Sequence, residues 1–213
     1  MCAKRVLFCI AGRSGAGKDT LVRAAEKEFG FKSVCSFTDR HMREGEEDGR
    51  EHYFVSKEKM TEILATQRVL AKTKINGCRY CATVESLEDD VKFYIIDPKG
   101  IECIRQNVEE LGILPVVIYI STPNEHRCMR VEKRGDDRTT YTNRCLSEDE
   151  QFSNFEKSTY FLSGDLSDTF DIWECLENTK RSTAFMVLNN CDVEYASVFF
   201  SKIVKCVLEH YKQ

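Results

Sequence analysis

The chain has 213 residues, a formal net charge of −4 and 42% hydrophobic residues. This length predicts one domain, or one domain with a lid, and is enough to bury a sizeable core. The acidic balance argues against a general nucleic-acid binder, and no apolar stretch approaches the ~20 residues that cross a bilayer, so neither nucleic acid nor membrane is expected as a partner.

Lys4 and Arg5 precede an apolar run that is too short for a signal peptide. The eleven cysteines are odd in number and scattered, and several sit in apolar runs (Cys9, Cys103, Cys206). That pattern reads as reduced thiols in a cytoplasm. Cys78-Arg79-Tyr80-Cys81 is a C-x-x-C with no second pair or nearby His to complete a zinc site. A structural pair is the favoured reading, and a redox pair the other.

Val6 to Ile10 is an apolar run that predicts a buried strand. Gly12-Arg13-Ser14-Gly15-Ala16-Gly17-Lys18-Asp19-Thr20 follows, and Leu21, Ala24, Ala25 and Phe29 then recur at helical spacing. Strand, glycine-rich turn and helix together predict a phosphate-binding loop. Its amides would converge on an anion, the helix would add its positive end, and Lys18 would supply a mobile charge for β- and γ-phosphates. The loop pattern has Ser or Thr directly after the Lys, to bind Mg²⁺. Here Asp19 stands there and Thr20 follows. Asp19 admits two readings, a hard-oxygen Mg²⁺ ligand or an acid favoured by the helix dipole.

Lys32 to Thr38 predicts a short strand. Asp39 to Glu51 is almost wholly polar. It reads as a solvated loop, or as a second phosphate site in which Arg40 and Arg43 act beside Ser36. Tyr53 to Val55 predicts a strand, and Ser56 an N-cap for a helix to Leu64. Val69 to Lys74 and Arg79 to Thr83 predict a hairpin around Asn76-Gly77. Val91 to Ile96 predicts a core strand ending in Asp97, which reads either as a Mg²⁺-linked acid or as a cap before Pro98. A helix is expected from Gly100 to Leu111, closed by Gly112, then a buried strand over Val116 to Ile120. Strands alternating with helices predict a parallel sheet with crossovers.

Thr122 or Asn124 is the expected cap of a helix to Lys133. Arg130, Lys133, Arg134, Arg138 and Arg144 form a basic run. It reads as a mobile lid over a phosphoryl group, or as an ordinary charged helix. Ser147 to Glu177 predicts helices outside the sheet, with scattered aromatics such as Phe152, Phe155, Phe170 and Trp173. Ala184 to Leu188 predicts the last strand, and Val193 to Tyr211 an amphipathic closing helix.

In order, these motifs resemble the guanylate kinase family. The loop Gly12 to Leu21 is similar to that family's, apart from Asp19. Ser36 to Glu46 resembles its S-x-T-T-R-x-P-R-x-G-E segment, and Gly49 to Ser56 its G-x-D-Y-x-F-V-S. Asp97-Pro98-Lys99-Gly100 resembles its D-x-x-G, Arg130 to Gly135 its R-x-x-x-R-G, and Asn189-Asn190 before Asp192 its N-D. The resemblance runs from about residue 4 to 145 and returns near 184 to 208.

It implies an α/β, three-layer P-loop kinase fold in a single domain. The core would be about 1–35, 91–122 and 184–213, an acceptor-binding subdomain about 36–90, and a lid with an insertion about 130–183. It further implies an ATP- and Mg²⁺-dependent kinase of a nucleoside monophosphate, GMP or a related one, with small-molecule nucleotides as its partners. ATP would be held by Gly12, Ser14, Gly15, Ala16, Gly17, Lys18, Asp19 and Thr20. The catalytic cations would be Lys18, Arg130, Arg134 and Arg144. The acceptor would meet Ser36, Arg40, Arg43, His52, Tyr53, Tyr80 and Asp97, and the metal Asp19 and Asp97. The departures fall on the base: the family's guanine-reading Glu falls near Ala71, its next polar reader at Ala82, and its acceptor-phosphate Tyr at His52. Two other readings compete, a kinase of a sugar phosphate such as ribose bisphosphate and a non-catalytic interaction module. The intact loop argues against the second.

Overall fold

The computed structural model describes residues 5–75, 77–87, 90–135, 137–162, 182–189 and 193–211. Lys4, Asn76, Phe170, Trp173, Glu177, Asn190 and Asp192, named above, lie outside them.

Arg5–Ala11 forms β1 and Lys18–Phe29 forms α1, which Gly30 ends through its N–H on the Glu26 carbonyl at 2.9 Å. Ser36–Thr38 is β2 and His52–Phe54 is β3. Lys57–Thr66 is α2, and Ser56 caps it as expected, its Oγ accepting from the Lys59 N–H at 3.1 Å. Val69–Ile75 (β4) and Cys78–Thr83 (β5) form the expected hairpin. Val91–Ile95 is β6, Pro98–Arg105 is α3, Val108–Leu111 is α4 and Ile113–Ser121 is β7. Asn124–Lys133 is α5, Arg138–Ser158 is α6, Thr159–Leu162 is β8, Ser182–Leu188 is β9 and Val193–Tyr211 is α7.

The five-stranded sheet has the order β6-β1-β7-β9-β8, with β9 parallel to both β7 and β8. Helices flank it in the expected α/β arrangement. A smaller sheet has the order β3-β2-β5-β4. The chain divides into two compact units, one of Met1–Cys9 and Lys32–Pro115, the other of Ile10–Phe31 and Val116–Gln213. In the first, Phe8 packs on Phe93 with ring centroids 5.5 Å apart, among buried Leu7, Ile101 and Ile104. In the second, α7 buries Phe200, Ile203 and Val204 and packs on α1 and β9. Among the described residues no helix is long and apolar enough to cross a membrane.

Four expectations are corrected. Only Ser36–Thr38 of the 32–38 run is a strand; upstream, Ser33 makes an isolated parallel bridge to Phe93, with the Val34 N–H donating to the Phe93 carbonyl at 2.7 Å and the Phe93 N–H to the Lys32 carbonyl at 3.4 Å. The helix expected over Gly100 to Leu111 begins earlier, at Pro98, and breaks after Arg105, where the Asn107 side chain takes the Cys103 carbonyl at 2.8 Å. No side chain caps α5: Thr122 Oγ1 donates to the Ala16 carbonyl at 3.1 Å, and Asn124 Oδ1 accepts from Arg127 at 2.9 Å. Finally, the segment expected to be helical from Ser147 leaves α6 after Ser158 and becomes β8, an edge strand. Thr159-Tyr160-Phe161-Leu162 is β-branched and aromatic, which suits a pleated surface.

Candidate functional site

The glycine loop joins β1 to α1 within the second unit. Gly15 has φ 80°, and a Cβ there would stand 2.8 Å from the Arg127 carbonyl. Gly17 has φ 89°, and its Cβ would stand 2.5 Å from Asn189 Nδ2. Only glycine satisfies both the backbone and the packing at these points. The Ala16 carbonyl accepts from Asn189 Nδ2 at 2.8 Å, Thr122 Oγ1 at 3.1 Å and Arg130 Nη1 at 3.2 Å. In a planar trans peptide the N–H points opposite to the carbonyl, so the Gly17 N–H is aimed away from those donors. No side chain caps α1, which leaves its first N–H groups for an anion.

Lys18 turns back on the loop, donating to the Gly12 carbonyl at 2.7 Å and the Arg13 carbonyl at 3.3 Å. Burial lowers its pKa, Asp19 and Glu148 oppose that, and Arg134 and Arg127 add to it; the net direction is down. Asp19 and Thr20 are exposed on the first turn of α1.

Arg130, on α5, braces the loop and also reaches the Asn189 carbonyl at 3.0 Å. Arg134 is exposed at the end of α5, and Arg144 is half-buried on α6. Several residues here were missed from sequence. Arg127 is buried, 8% exposed, one turn before Arg130 on the same helix face, and its charge acts on Lys18. Arg13 pairs with Asp149 and with Glu156 at 3.3 Å, both on α6. Glu148 bonds Ser14. Helical spacing on α5 was the available signal for Arg127; nothing local marks the acids of α6 as partners of the loop.

The second cluster lies in the first unit, on one face of the smaller sheet. Parallel register sets Ser36 beside His52, and their Oγ and Nδ1 are 2.9 Å apart. Antiparallel register sets Thr38 beside Tyr80, whose ring meets His52 edge-on at 5.5 Å. Arg40 lies over the Phe54 ring at 5.1 Å and pairs with both Glu46 oxygens at 2.6 Å. Burial works against ionisation of Glu46, but hydrogen bonds from Arg40 and the Arg43 N–H outweigh it and hold the carboxyl down at about 2. Arg40 Nε is buried and has no protein partner. The Arg43 side chain is exposed. Tyr53 points to the opposite face and packs on Phe37 at 5.2 Å, because side chains alternate along a strand.

Asp97 caps α3, with Oδ1 accepting from the Gly100 N–H at 2.8 Å, while Oδ2 accepts from Thr73 Oγ1 at 2.6 Å. Capping is therefore one role of Asp97, and Thr73 is a partner that sequence reasoning did not name. Ala71 and Ala82 are direct cross-strand partners, 2% and 0% exposed. Cys78 and Cys81 are free; Cys81 packs on Met60 and Ile63, and burial pushes its thiol up to about 11, which makes it a poor nucleophile.

Among the described residues no group of three or more His, Cys, Asp or Glu could hold a metal ion by itself. Asp19 and Thr20, beside Lys18, are hard-oxygen donors that suit an ion bound by one or two protein oxygens, phosphates and water.

A family model described as guanylate kinase matches residues 4–172. The guanylate kinase of Dechloromonas aromatica is 32% identical over 148 residues, covering 66% of this chain and 71% of that protein. That of Lactobacillus delbrueckii subsp. bulgaricus is 31% identical over 144 residues, covering 63% and 68%. That of Aliivibrio fischeri is 27% identical over 176 residues, covering 78% and 84%. Among solved structures, the guanylate kinase from Anaplasma phagocytophilum shares the fold, with a TM-score of 0.63 at 19% identity over 96% of this chain and 86% of that one.

Proposed function

The chain belongs to the guanylate kinase family, and from that premise we propose that it transfers the γ-phosphoryl group of ATP to the phosphate of GMP. What supports the reading is that one chain carries two separate clusters of donors suited to a phosphate. One is the glycine loop with Lys18; the other is the cluster of Ser36, Arg40, His52 and Tyr80. Transfer between two nucleotides needs one grip for each.

ATP is held by the amides of Gly12 to Gly17, by Ser14 and by Lys18, which exchanges two loop carbonyls for phosphate oxygens. Arg130, Arg134 and Arg144 neutralise charge that develops during transfer. Asp19 and Thr20 would supply hard oxygens to Mg²⁺, which when bound would neutralise charge on the phosphates; Asp97, in the other unit, is a separate candidate for a metal or acceptor contact through the lone pairs its cap leaves over. The acceptor phosphate takes the unpartnered Arg40 Nε–H together with Ser36, Tyr80 and His52, with Arg43 at the exposed rim. The smaller sheet with α2 serves as the acceptor-binding subdomain, and α5 and α6 as the described part of the lid. Catalysis is in-line positioning and charge neutralisation, with no general base required.

Base choice is weaker than a guanine-reading site allows. The Ala71–Ala82 pair offers methyl groups where a carboxylate and a hydroxyl would meet guanine, and both are buried. Each missing partner costs about 1–3 kcal/mol of discrimination. A sugar-phosphate kinase and a non-catalytic module gain no support from relatives that are named guanylate kinases. A coupled assay of ATP with GMP, AMP, CMP, UMP and ribose phosphates tests the reading. Turnover of GMP, with other nucleoside monophosphates at comparable efficiency, is expected; turnover of sugar phosphates alone refutes it.

A further inference from the structure

A carboxylate occupies donors of the glycine loop. Glu148 Oε2 accepts from the Ser14 backbone N–H at 3.0 Å, and Oε1 accepts from the Ser14 hydroxyl at 2.5 Å. Ser14 is the third residue of Gly12 to Lys18, so the two donors belong to the concavity that a phosphate would use. The contact does not rest on one flexible side chain. Asp149, the next residue, pairs with Arg13; Glu156, two turns on, pairs with Arg13 at 3.3 Å and accepts from the Tyr119 hydroxyl. Arg13 is itself mostly buried and lies over the Phe152 ring at 5.5 Å. Three acids of α6 thus hold residues 13 and 14. Lys18 meanwhile bonds loop carbonyls, with the Glu148 charge acting on it.

We propose that Glu148 is an internal ligand of the phosphate loop, which ATP must displace and which sets the affinity for ATP. The inference rests on the loop being the ATP site. The Ser14 N–H and hydroxyl cannot serve a carboxylate and a polyphosphate at once, and the two anions repel at contact distance. Binding therefore requires the Glu148 side chain to turn away. The Arg13 pairs with Asp149 and Glu156 are independent of that turn, so α6 stays tethered and the carboxylate returns when the nucleotide leaves. Arg144 lies one turn before Glu148 on the same face of α6, so the surface that gives up an anion presents a cation beside it. The α6 contact then acts as a threshold, and only a ligand with enough phosphate charge crosses it.

The test is calorimetric titration of ATP and of inorganic tripolyphosphate into the whole chain as wild type, Glu148→Gln and Glu148→Asp. Asp keeps the charge but is one methylene too short to hold Ser14. Glu150→Gln, an exposed neighbour on the same helix, is the control. Both Glu148 variants should bind both ligands about tenfold tighter, the loss of one charge-assisted competitor, and the control should match wild type. Should Gln impair folding, Asp carries the test. Wild-type binding with no gain in either Glu148 variant overturns this inference alone. Absence of ATP binding in wild type and all variants overturns both it and the assignment of the loop.

Discussion

Arg40→Ala tests both acceptor binding and stability in one variant. The guanidinium holds both Glu46 oxygens at 2.6 Å, and the pair is 10% and 15% exposed. The Glu46 carboxyl is held at about 2 against an ordinary 4.5, so it contributes stability that is present above pH 4.5 and lost as pH falls through 2. That difference corresponds to about 3 kcal/mol at full burial; water reaches part of the pair, so about 1–2 kcal/mol is expected. In the variant most of this is absent and the Glu46 carboxyl titrates near its ordinary value. Urea melts should therefore show a gap of about 1–2 kcal/mol between wild type and variant at pH 6.5, narrowing below pH 4.5. GMP titration at pH 7 should show at least about a tenfold loss of affinity, from one charge-assisted bond of roughly 1.5–3 kcal/mol. ATP affinity should stay within about twofold, since the glycine loop proposed to hold ATP keeps every one of its own donors. A gap that is constant from pH 6.5 to pH 3 refutes the Glu46 argument. Unchanged GMP affinity refutes Arg40 as an acceptor ligand.

Lys18→Ala should abolish turnover on the proposed role of its charge in phosphoryl transfer, while costing only about 1 kcal/mol of stability through the lost bonds to the Gly12 and Arg13 carbonyls; near-normal turnover counts against the proposed ATP site. Ser56→Ala should cost about 1 kcal/mol of stability through the lost bond to the Lys59 N–H, with no change in kinetics; an unchanged melt contradicts the cap. Relative kcat/KM for GMP, AMP, CMP, UMP and their deoxy forms should span less than about a thousandfold, because the proposed Arg40 grip on the phosphate would not distinguish one base from another. A GMP preference on that order would mean that groups other than Ala71 and Ala82 read guanine.

The strand, glycine loop and helix around Lys18 were legible in the sequence because these parts are consecutive, so local chemistry determines local shape. The hairpin Val69–Thr83 and the Ser56 cap were legible for the same reason. β8 was not: four residues after a long helix carry too few periods to separate a strand from a helix end. The acids of α6 were not legible either, since Glu148 lies 134 positions from Ser14 and only the folded chain brings them together. Asp97 shows why spacing alone left two readings. Its carboxylate caps α3 and bonds Thr73, and neither contact precludes a further ligand on the remaining lone pairs. His52 and Tyr53 were both named as acceptor residues, yet strand alternation places only His52 with Ser36 and Tyr80.

The most direct measurement follows the γ-phosphoryl group itself. Purified protein is given ATP labelled at the γ-phosphorus, Mg²⁺ and GMP, and the products are separated and counted. Equimolar ADP and labelled GDP from wild type, with neither from Lys18→Ala, is the result this account predicts. Label that stays on ATP, or appears only as free phosphate at a rate indifferent to GMP, would contradict it.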